Sequence, residues 1–317
     1  MSDHPGALTR DHVVWAYRVL LDRDPENEDV IGPKLAGSRD TRELRHHLMT
    51  SAEFLSKNRD YAHTNDRTLV IKELDEADGV RLFVDLSDHV IGLNIVRGNY
   101  ERDELRFVRS VLEPGDTAID VGAHIGFFTM HMAERVGPSG RVYAFEPLDG
   151  NADLLERSIV ENGFDGRVVF ERAAVADAGT SASLTFPRET LNTGGAYLLQ
   201  DGSPPLPGNL QQTVRVVALD GVRLQRPVRF IKIDVEGAEP RVLDGAARLL
   251  SEDRPIILSE LHAPQLQRAA GMTPRTFFDK LRRLGYEPHR LENGSAGQRL
   301  DSPPDEPIAS IVLVPLG

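Results

Sequence analysis

Short apolar runs that alternate with longer helical segments constrain the fold of this chain more than any other feature. From residue 117 onward, strand-like runs such as Thr117–Val121 and Arg141–Phe145 are separated by segments of helical periodicity such as Ile125–Val136. The strand-like runs are nearly continuous in apolar residues, as expected when helices cover both faces of a sheet. The repeating order predicts an α/β fold with a doubly wound, mostly parallel sheet.

The first hundred residues follow other patterns. Residues 1–60 carry apolar residues at helical spacing and predict a small α-helical domain, followed by the polar, linker-like stretch Lys57–Arg67. Residues 61–100 predict a β-rich lead-in to the main domain, which spans 101–317. The lead-in contains three strand-like runs: Leu69–Leu74, Val80–Leu86 and Val90–Val96.

Composition narrows the range of functions. The 317 residues include 37 basic and 49 acidic side chains, a net charge of −12, and no cysteine. The absence of cysteine excludes disulfides, thiolate metal sites and thiol nucleophiles, and the acidic balance argues against a nucleic-acid partner. No apolar run is long enough to cross a membrane, and the first residues lack the apolar core of a signal peptide. We therefore expect a cytoplasmic protein that has no membrane partner and acts on a small molecule.

A carboxylate and two glycines stand where the first strand of the main domain meets the following helix. Asp120 precedes Gly122, and Ala123 and His124 then lead to Gly126. Glycine at such a junction allows a tight turn and a close approach to a ligand. Asp120 would repel a pyrophosphate, and His124 breaks the dinucleotide fingerprint. The junction therefore favours a ligand that carries an amine or another cation.

A second carboxylate, Glu146, ends the next strand, where an acid can bind both hydroxyls of a ribose. A nucleoside that carries an ammonium and a sulfonium but no phosphate fits both acids, and S-adenosylmethionine is such a ligand. The residues from Asp120 to Gly126 named above and Glu146 are therefore predicted to bind it. Ala173 and Ala174, after the third strand, are predicted to contact the adenine through their backbone.

Two pairs of ionisable residues follow the fourth and fifth strands. Asp234 and Glu236 stand two residues apart, as do Glu260 and His262, so each pair is predicted to share one face. If the strands are neighbours, all four groups meet at the carboxyl edge of the sheet, where open α/β folds bind ligands. We expect His262 or Asp234 to take the proton of an acceptor hydroxyl, with Glu236 positioning the acceptor. Asp234 is also expected to contact the cofactor, and Glu260 the acceptor.

A metal-assisted version stays open, in which two or three of these carboxylates hold Mg²⁺ and acidify a bound hydroxyl. It is not favoured, and no metal site is assigned. Glu101, at the start of a helix, is predicted to contact the cofactor or the acceptor. The proline- and glycine-rich segment Pro187–Gln212 predicts an irregular loop of the kind that often binds a ligand, with Asn192, Thr193 and Gly194 as contacts to the acceptor.

Four motifs occur in order along the main domain: GNYERDELRFVRSVLEPGD, DVGAHIGFFT, VYAFEP and FIKIDVEGAEPRVLDGA. Together they resemble the FkbM family of S-adenosylmethionine-dependent methyltransferases, and the resemblance spans Asn94 to Val314. It implies a Rossmann-like class I methyltransferase fold and O-methylation of a hydroxyl on a sugar or a secondary metabolite. His124 departs from the pattern, since the family commonly has asparagine there.

The motifs AYRVLLDRDP and LMTSAEFL in the first 60 residues resemble a short helical module found beside carbohydrate-modifying domains. This resemblance implies a docking module or a homo-oligomer contact; the alternative is a helical cap on the main domain. Two other functions also stay open. A nicotinamide-dependent oxidoreductase would share the fold, although Asp120 and the missing glycine at position 124 count against it. A catalytically inactive cofactor-binding or interaction protein is the second, and the retained Asp234, Glu236 and His262 argue against it.

Overall fold

The structure is a computed structural model of the chain and describes residues 8–38, 41–49, 51, 53, 68–88, 90–177, 181–187, 193–199 and 208–316. The chain divides into two compact units, residues 1–67 and 68–317. The predicted linker, Lys57–Arg67, lies outside the described residues. Of the predicted lead-in, residues 61–100, the part from Thr68 onward belongs to the same compact unit as the predicted main domain.

The N-terminal unit is helical. Asn27 caps its second helix by accepting the backbone N–H groups of Asp29 and Val30 on its side-chain oxygen. Sequence analysis missed this helix because Gly32 and Pro33 disfavour helix formation in its middle. The helices are α1 (Arg10–Leu21), α2 (Glu28–Ala36) and α3 (Thr41–Met49). Their shared core consists of Val13, Tyr17, Leu21, Ile31, Leu44 and Leu48.

The second unit begins with an antiparallel ribbon and a short helix. The prediction of a strand over Val90–Val96 is wrong, because this segment is helical. The Asp88 carboxylate accepts the backbone N–H groups of Val90 and Ile91 at 2.9 and 2.8 Å and so caps a first helical turn. The elements are β1 (Leu69–Glu73), β2 (Arg81–Asp85) and α4 (Ile91–Val96).

Helices and strands then alternate around a central eight-stranded sheet, with a smaller sheet inserted. The helices are α5 (Arg102–Val111), α6 (Phe127–Val136), α7 (Asp149–Glu161), α8 (Glu239–Asp244), α9 (Ala247–Asp253), α10 (Ala263–Ala270) and α11 (Pro274–Arg283). The strands are β3 (Thr117–Val121), β4 (Arg141–Phe145), β5 (Val168–Glu171), β6 (Ala174–Val175), β7 (Ser181–Pro187), β8 (Tyr197–Leu198), β9 (Asn209–Val217), β10 (Phe230–Ile233), β11 (Ile256–His262), β12 (Tyr286–Glu292), β13 (Ser295–Arg299) and β14 (Ile308–Pro315).

The central sheet has the order β13-β12-β14-β11-β10-β3-β4-β5. The five strands from β11 to β5 run parallel, and β14 is antiparallel to both of its neighbours. The predicted α/β fold with a doubly wound, mostly parallel sheet is confirmed. The strand order reverses direction between β3 and β10, and the carboxyl ends of strands at such a switch point form a crevice that binds ligands.

Both faces of the central sheet are buried, as the continuous apolar runs predict. Ala118 and Phe230 belong to the core on one face, together with side chains of α5 and α6. Ile119 and Ile231 belong to the core on the other face. Alternation along β3 and β10 therefore divides their apolar residues between two hydrophobic cores.

A second, four-stranded sheet has the order β6-β9-β7-β8. The segment Pro187–Gln212 was predicted to be irregular, and this is wrong in part, because β8 and the beginning of β9 lie within it. Leu198 of β8 pairs with Leu184 of β7, which explains why this proline-rich stretch still contains a strand. Within the described parts of the chain, no helix is long and apolar enough to cross a membrane.

We expect a chain that begins at Thr68 to fold without the N-terminal unit. Among the described residues, each unit has apolar clusters of its own: three in the second unit and one in the N-terminal unit. Thermal unfolding followed by near-ultraviolet circular dichroism should show one cooperative transition. Loss of the near-ultraviolet signal with retained helix content would mean that the N-terminal helices complete the core.

Candidate active site

A cavity of ≈ 420 Å³ lies at the carboxyl edge of the central sheet. It opens where β3 and β10 lie side by side, which is the switch point of the strand order. Most of the residues predicted from the sequence to form the site line this cavity. These are Glu101, Gly122, His124, Glu146, Ala173, Ala174, Gly194, Asp234, Glu236, Glu260 and His262.

Other predicted residues lie elsewhere. Asp120 is 0% exposed, and its Oδ2 accepts the hydroxyl of Thr129 at 2.6 Å. This carboxyl has no exposed surface, so Asp120 does not line the cavity, although the sequence predicts direct contact with the cofactor. Ala123 and Gly126 are not among the described residues that line the cavity, and the side chain of Thr193 is not described. Asn192 lies outside the described residues.

Gly122 shapes the floor of the cavity. Its φ of 82° belongs to the left-handed region that favours glycine, and a Cβ there would lie 1.8 Å from the carbonyl oxygen of Asp234. The ends of β3 and β10 can therefore approach this closely only with glycine at position 122.

Glu146 follows β4 and is held by backbone amides. Its Oε2 accepts the N–H of His124 at 2.9 Å, and its Oε1 accepts the N–H of Leu148 at 2.8 Å. Burial raises the pKa of this carboxyl to about 7, although these hydrogen bonds and one from Asn151 act in the opposite direction. These three hydrogen bonds fix the orientation of the carboxyl group and leave part of its acceptor capacity for a ribose hydroxyl.

Asp234 and Glu236 line the cavity, but not for the reason that the sequence suggested. β10 ends at Ile233, and Glu236 has a φ of 52°, so strand alternation does not extend to either residue. A turn places both side chains at the cavity instead. Glu260 and His262 lie within β11, which is the parallel neighbour of β10, and there the alternation is confirmed.

Two glutamates of the cavity, Glu236 and Glu260, have raised pKa values. Burial raises the pKa of Glu236 to about 8 and that of Glu260 to about 9, and the negative charge of Asp234 adds to both shifts. The site therefore holds exchangeable protons near neutral pH.

The imidazole of His262 faces Glu236, with 3.8 Å between Nε2 and Glu236 Oε2. Burial lowers the pKa of His262, so the ring is neutral at pH 7. Its Nδ1 accepts the backbone N–H of Gln265 at 3.4 Å. This contact assigns the ring proton to Nε2, on the side of Glu236.

Sequence analysis missed Lys232. This lysine is the only polar residue of β10, is 5% exposed, and forms an ion pair with Asp234 Oδ2 at 2.9 Å. A charged residue inside an apolar four-residue strand was the available signal, because a lysine is rarely buried without a partner. The other missed residues that line the cavity include Val90, Ile91, Tyr100, Phe145, Tyr197 and Gln265.

No three histidine, aspartate or glutamate side chains come close enough to hold a metal ion in the part of the chain that the structure describes.

Comparison with known proteins agrees with this geometry. The methyltransferase FkbM domain matches residues 120–288, which is more than half of the chain. The chain belongs to the FkbM methyltransferase family. Residues 120–288 therefore form an S-adenosylmethionine-dependent methyltransferase domain, built on the fold described above.

Individual relatives match over different lengths of the chain. The chain is 34% identical to 31-O-demethyl-FK506 methyltransferase FkbM of Streptomyces tacrolimicus over 42% of this chain and 60% of that protein. It is 31% identical to AMB antimetabolite synthetase AmbE of Pseudomonas aeruginosa over 77% of this chain and 13% of that protein. The matches thus span less than two thirds of either relative. The crystal structure of methyltransferase FkbM from Methylobacillus flagellatus aligns over 95% of this chain and 58% of its own, with 14% identity and a TM-score of 0.39.

The residues of the cavity fit S-adenosylmethionine, the cofactor of the family. Glu146 offers two acceptor oxygens to a ribose, and Ala173, Ala174 and Val175 form an apolar wall suited to an adenine. Among the described residues that line the cavity, several carry carboxyl groups and none is lysine or arginine. That charge suits a ligand with a sulfonium and an ammonium. The cavity volume also falls within the roughly 300–1,000 Å³ common for small-ligand sites.

Replacing Gly122 with alanine should destabilise the protein by at least ~2 kcal/mol, because the new Cβ would collide with the Asp234 carbonyl at an unfavourable φ. Gly166→Ala is the matched control, since nothing lies within 4 Å of a Cβ there and the variant should stay within ~0.5 kcal/mol. Urea unfolding measures both. Equal stability of the two variants would contradict the close approach of β3 and β10.

Proposed function

We propose that this protein transfers a methyl group from S-adenosylmethionine to a hydroxyl of a small molecule, namely a sugar or a secondary metabolite. The observation that carries the proposal is the position of Glu236, a proton-accepting carboxyl beside Asp234 in the cofactor cavity. A hydroxyl must lose its proton as it attacks a methyl group, so a nearby base is the expected companion of O-methylation.

Different parts of the cavity wall would hold different parts of the cofactor. Glu146 would bind the ribose hydroxyls, and the wall at Ala173 and Ala174 would contact the adenine. Glu101 and Asp234 would face the cationic end. The cofactor supplies an electrophilic methyl group, and the remaining work is orientation and proton removal by this chain.

Glu236 is the base that the geometry favours. His262 was one of the two expected bases, but its neutral ring carries a proton on the nitrogen nearest to Glu236, so that nitrogen cannot accept another. Asp234, the other expected base, already accepts a hydrogen bond from Lys232. We assign proton removal to Glu236, with the imidazole N–H orienting its carboxylate. Glu260, whose pKa is raised to about 9, would be protonated and donate a hydrogen bond to the acceptor.

The names of two relatives support this assignment. The Streptomyces relative is named 31-O-demethyl-FK506 methyltransferase, and the Pseudomonas relative is named AMB antimetabolite synthetase. Both names refer to small molecules. A nucleic-acid acceptor is less compatible with this site, because none of the described lining residues is lysine or arginine.

A direct test combines the protein with S-adenosylmethionine and a panel of hydroxylated sugars and metabolites. Mass spectrometry should detect S-adenosylhomocysteine together with a methylated product, and the new methyl group should be attached to an oxygen atom. Methylation at nitrogen or carbon only would refute the O-methyltransferase proposal while leaving the family assignment intact.

Glu146→Gln should weaken the binding of S-adenosylmethionine by at least ~10-fold, because hydrogen bonds to a charged group are replaced by weaker ones. Glutamine keeps an acceptor for one of the two backbone amides, so the turn at Leu148 should persist. Glu156→Gln is the control, since this glutamate is 50% exposed and pairs with Arg172 away from the cavity. Isothermal calorimetry compares them, and equal affinities would rule out the ribose assignment.

Glu236→Gln should lower kcat by ~10²–10⁴-fold, the usual loss when a general base is removed. In the unmodified enzyme, kcat/KM should rise as the pH rises through about 8, because the carboxyl must lose its proton before it can act. His262→Ala should keep that pH profile with a smaller loss. A profile that disappears in His262→Ala and survives in Glu236→Gln would return the base role to the histidine.

A further inference from the structure

Lys232 occupies an unusual position for a charged side chain. It lies on β10 directly opposite Asp120 of β3, on the face of the sheet that α6 covers. Its ammonium lies 4.5 Å from the ring centroid of Phe128 on α6 and is almost completely buried. Burying an ammonium is unfavourable unless opposite charges compensate it, so the groups around it must supply that compensation.

Three carboxyl groups act on the ammonium: Asp234 in the turn after β10, Asp120 on β3 and Glu101 at the start of α5. Asp234 forms the ion pair at 2.9 Å. Asp120 and Glu101 also attract the charge, and together the three raise the pKa of Lys232 well above its usual value against the effect of burial. Two of these carboxyls, Asp234 and Glu101, line the cavity, whereas Lys232 and Asp120 do not.

We propose that Lys232 is a positioning residue: from beneath the cavity floor, its ammonium fixes Asp234 through their ion pair and keeps Glu101 in its charged form, so that both carboxyls face the cationic end of the cofactor. The proposal rests on the proposed use of S-adenosylmethionine. Without the lysine, repulsion between these buried carboxyls would favour their protonated, uncharged forms. The lysine thus contributes to cofactor recognition without contact to the cofactor.

The response of Glu101 to pH makes this arrangement measurable. Burial raises the pKa of Glu101 to about 7, Lys232 acts to lower it, and Asp234 acts to raise it. The carboxyl therefore loses its charge as the pH falls through about 7. If Lys232 is replaced by an uncharged residue, the loss of charge should occur at a higher pH. The other titratable groups that act on Glu101, Lys232 or Asp234 are Tyr100, Glu104, Asp120, His124, Glu236, Glu239, Glu260 and His262.

The test compares two ligands across pH 5 to 10 by calorimetry. S-adenosylmethionine carries the sulfonium charge, whereas S-adenosylhomocysteine has the same adenosine and amino-acid parts with an uncharged sulfur. The ratio of their affinities depends on the charge of the carboxyls that face the sulfur. A change that weakens the binding of both ligands equally leaves this ratio unchanged. In the unmodified protein this ratio should fall on the acid side with a midpoint near 7.

Lys232→Met should move that midpoint upward by at least ~1 pH unit, the size of shift that one charge at contact distance causes. Above the new midpoint the ratio should be at least as large as in the unmodified protein. Phe128→Leu is the control: it removes the ring next to the ammonium but no charge, so its midpoint should not move. A lower affinity for both ligands with an unmoved midpoint would show that Lys232 only fills space, and would overturn the proposal.

A second pair of variants keeps the test decisive if Lys232→Met does not fold with Asp234 left unpaired. Asp234→Asn and the double variant Asp234→Asn/Lys232→Met differ only in the lysine, and the double variant removes both partners of the ion pair. The midpoint of the double variant should lie at least ~1 pH unit above that of the single variant. Equal midpoints would overturn the proposal. Failure of the unmodified protein to bind either ligand would instead refute the proposed function.

Discussion

The close approach of two strand ends is the constraint on which the rest of the site depends. At Gly122 the backbone passes the carbonyl of Asp234 with room for a hydrogen but not for a methyl group. This contact brings the ends of β3 and β10 together at the point where the strand order reverses. The cavity opens at this point, and the turn after β10 places Asp234 and Glu236 in its wall.

Charge is the second organising feature, and it is distributed in layers. Carboxyl groups face the cavity, while the compensating lysine lies beneath the floor, between the sheet and α6. Burial and mutual repulsion keep protons on part of this set, which explains the raised pKa values of Glu101, Glu236 and Glu260. A cavity of this kind favours a cation and can also exchange a proton, which are the two requirements of methyl transfer to a hydroxyl.

The inserted second sheet provides a different kind of surface. Tyr197 and Leu198 of β8, together with Leu184 of β7, line the cavity with largely apolar side chains. The central sheet and its loops thus provide the ionisable groups, and the insertion provides a wall against which an acceptor can pack. Variation in such an insertion can change the acceptor while the residues at the strand ends keep the chemistry.

Sequence patterns alone predict the fold class and most of the described residues that line the cavity. Alternating periodicity predicted the doubly wound sheet, since a strand buried on both faces has to be apolar throughout. The positions of Gly122, Glu146 and Glu260 at strand ends placed them at one edge, because parallel strands share that edge. Other features of the site depend on residues that lie far apart in the chain, and these became visible only in the folded structure. It buried Asp120, placed Lys232 where three carboxyls act on it, and turned His262 so that its ring proton faces Glu236. Such outcomes follow from packing between segments far apart in the chain, and periodicity reports only on a residue's own element.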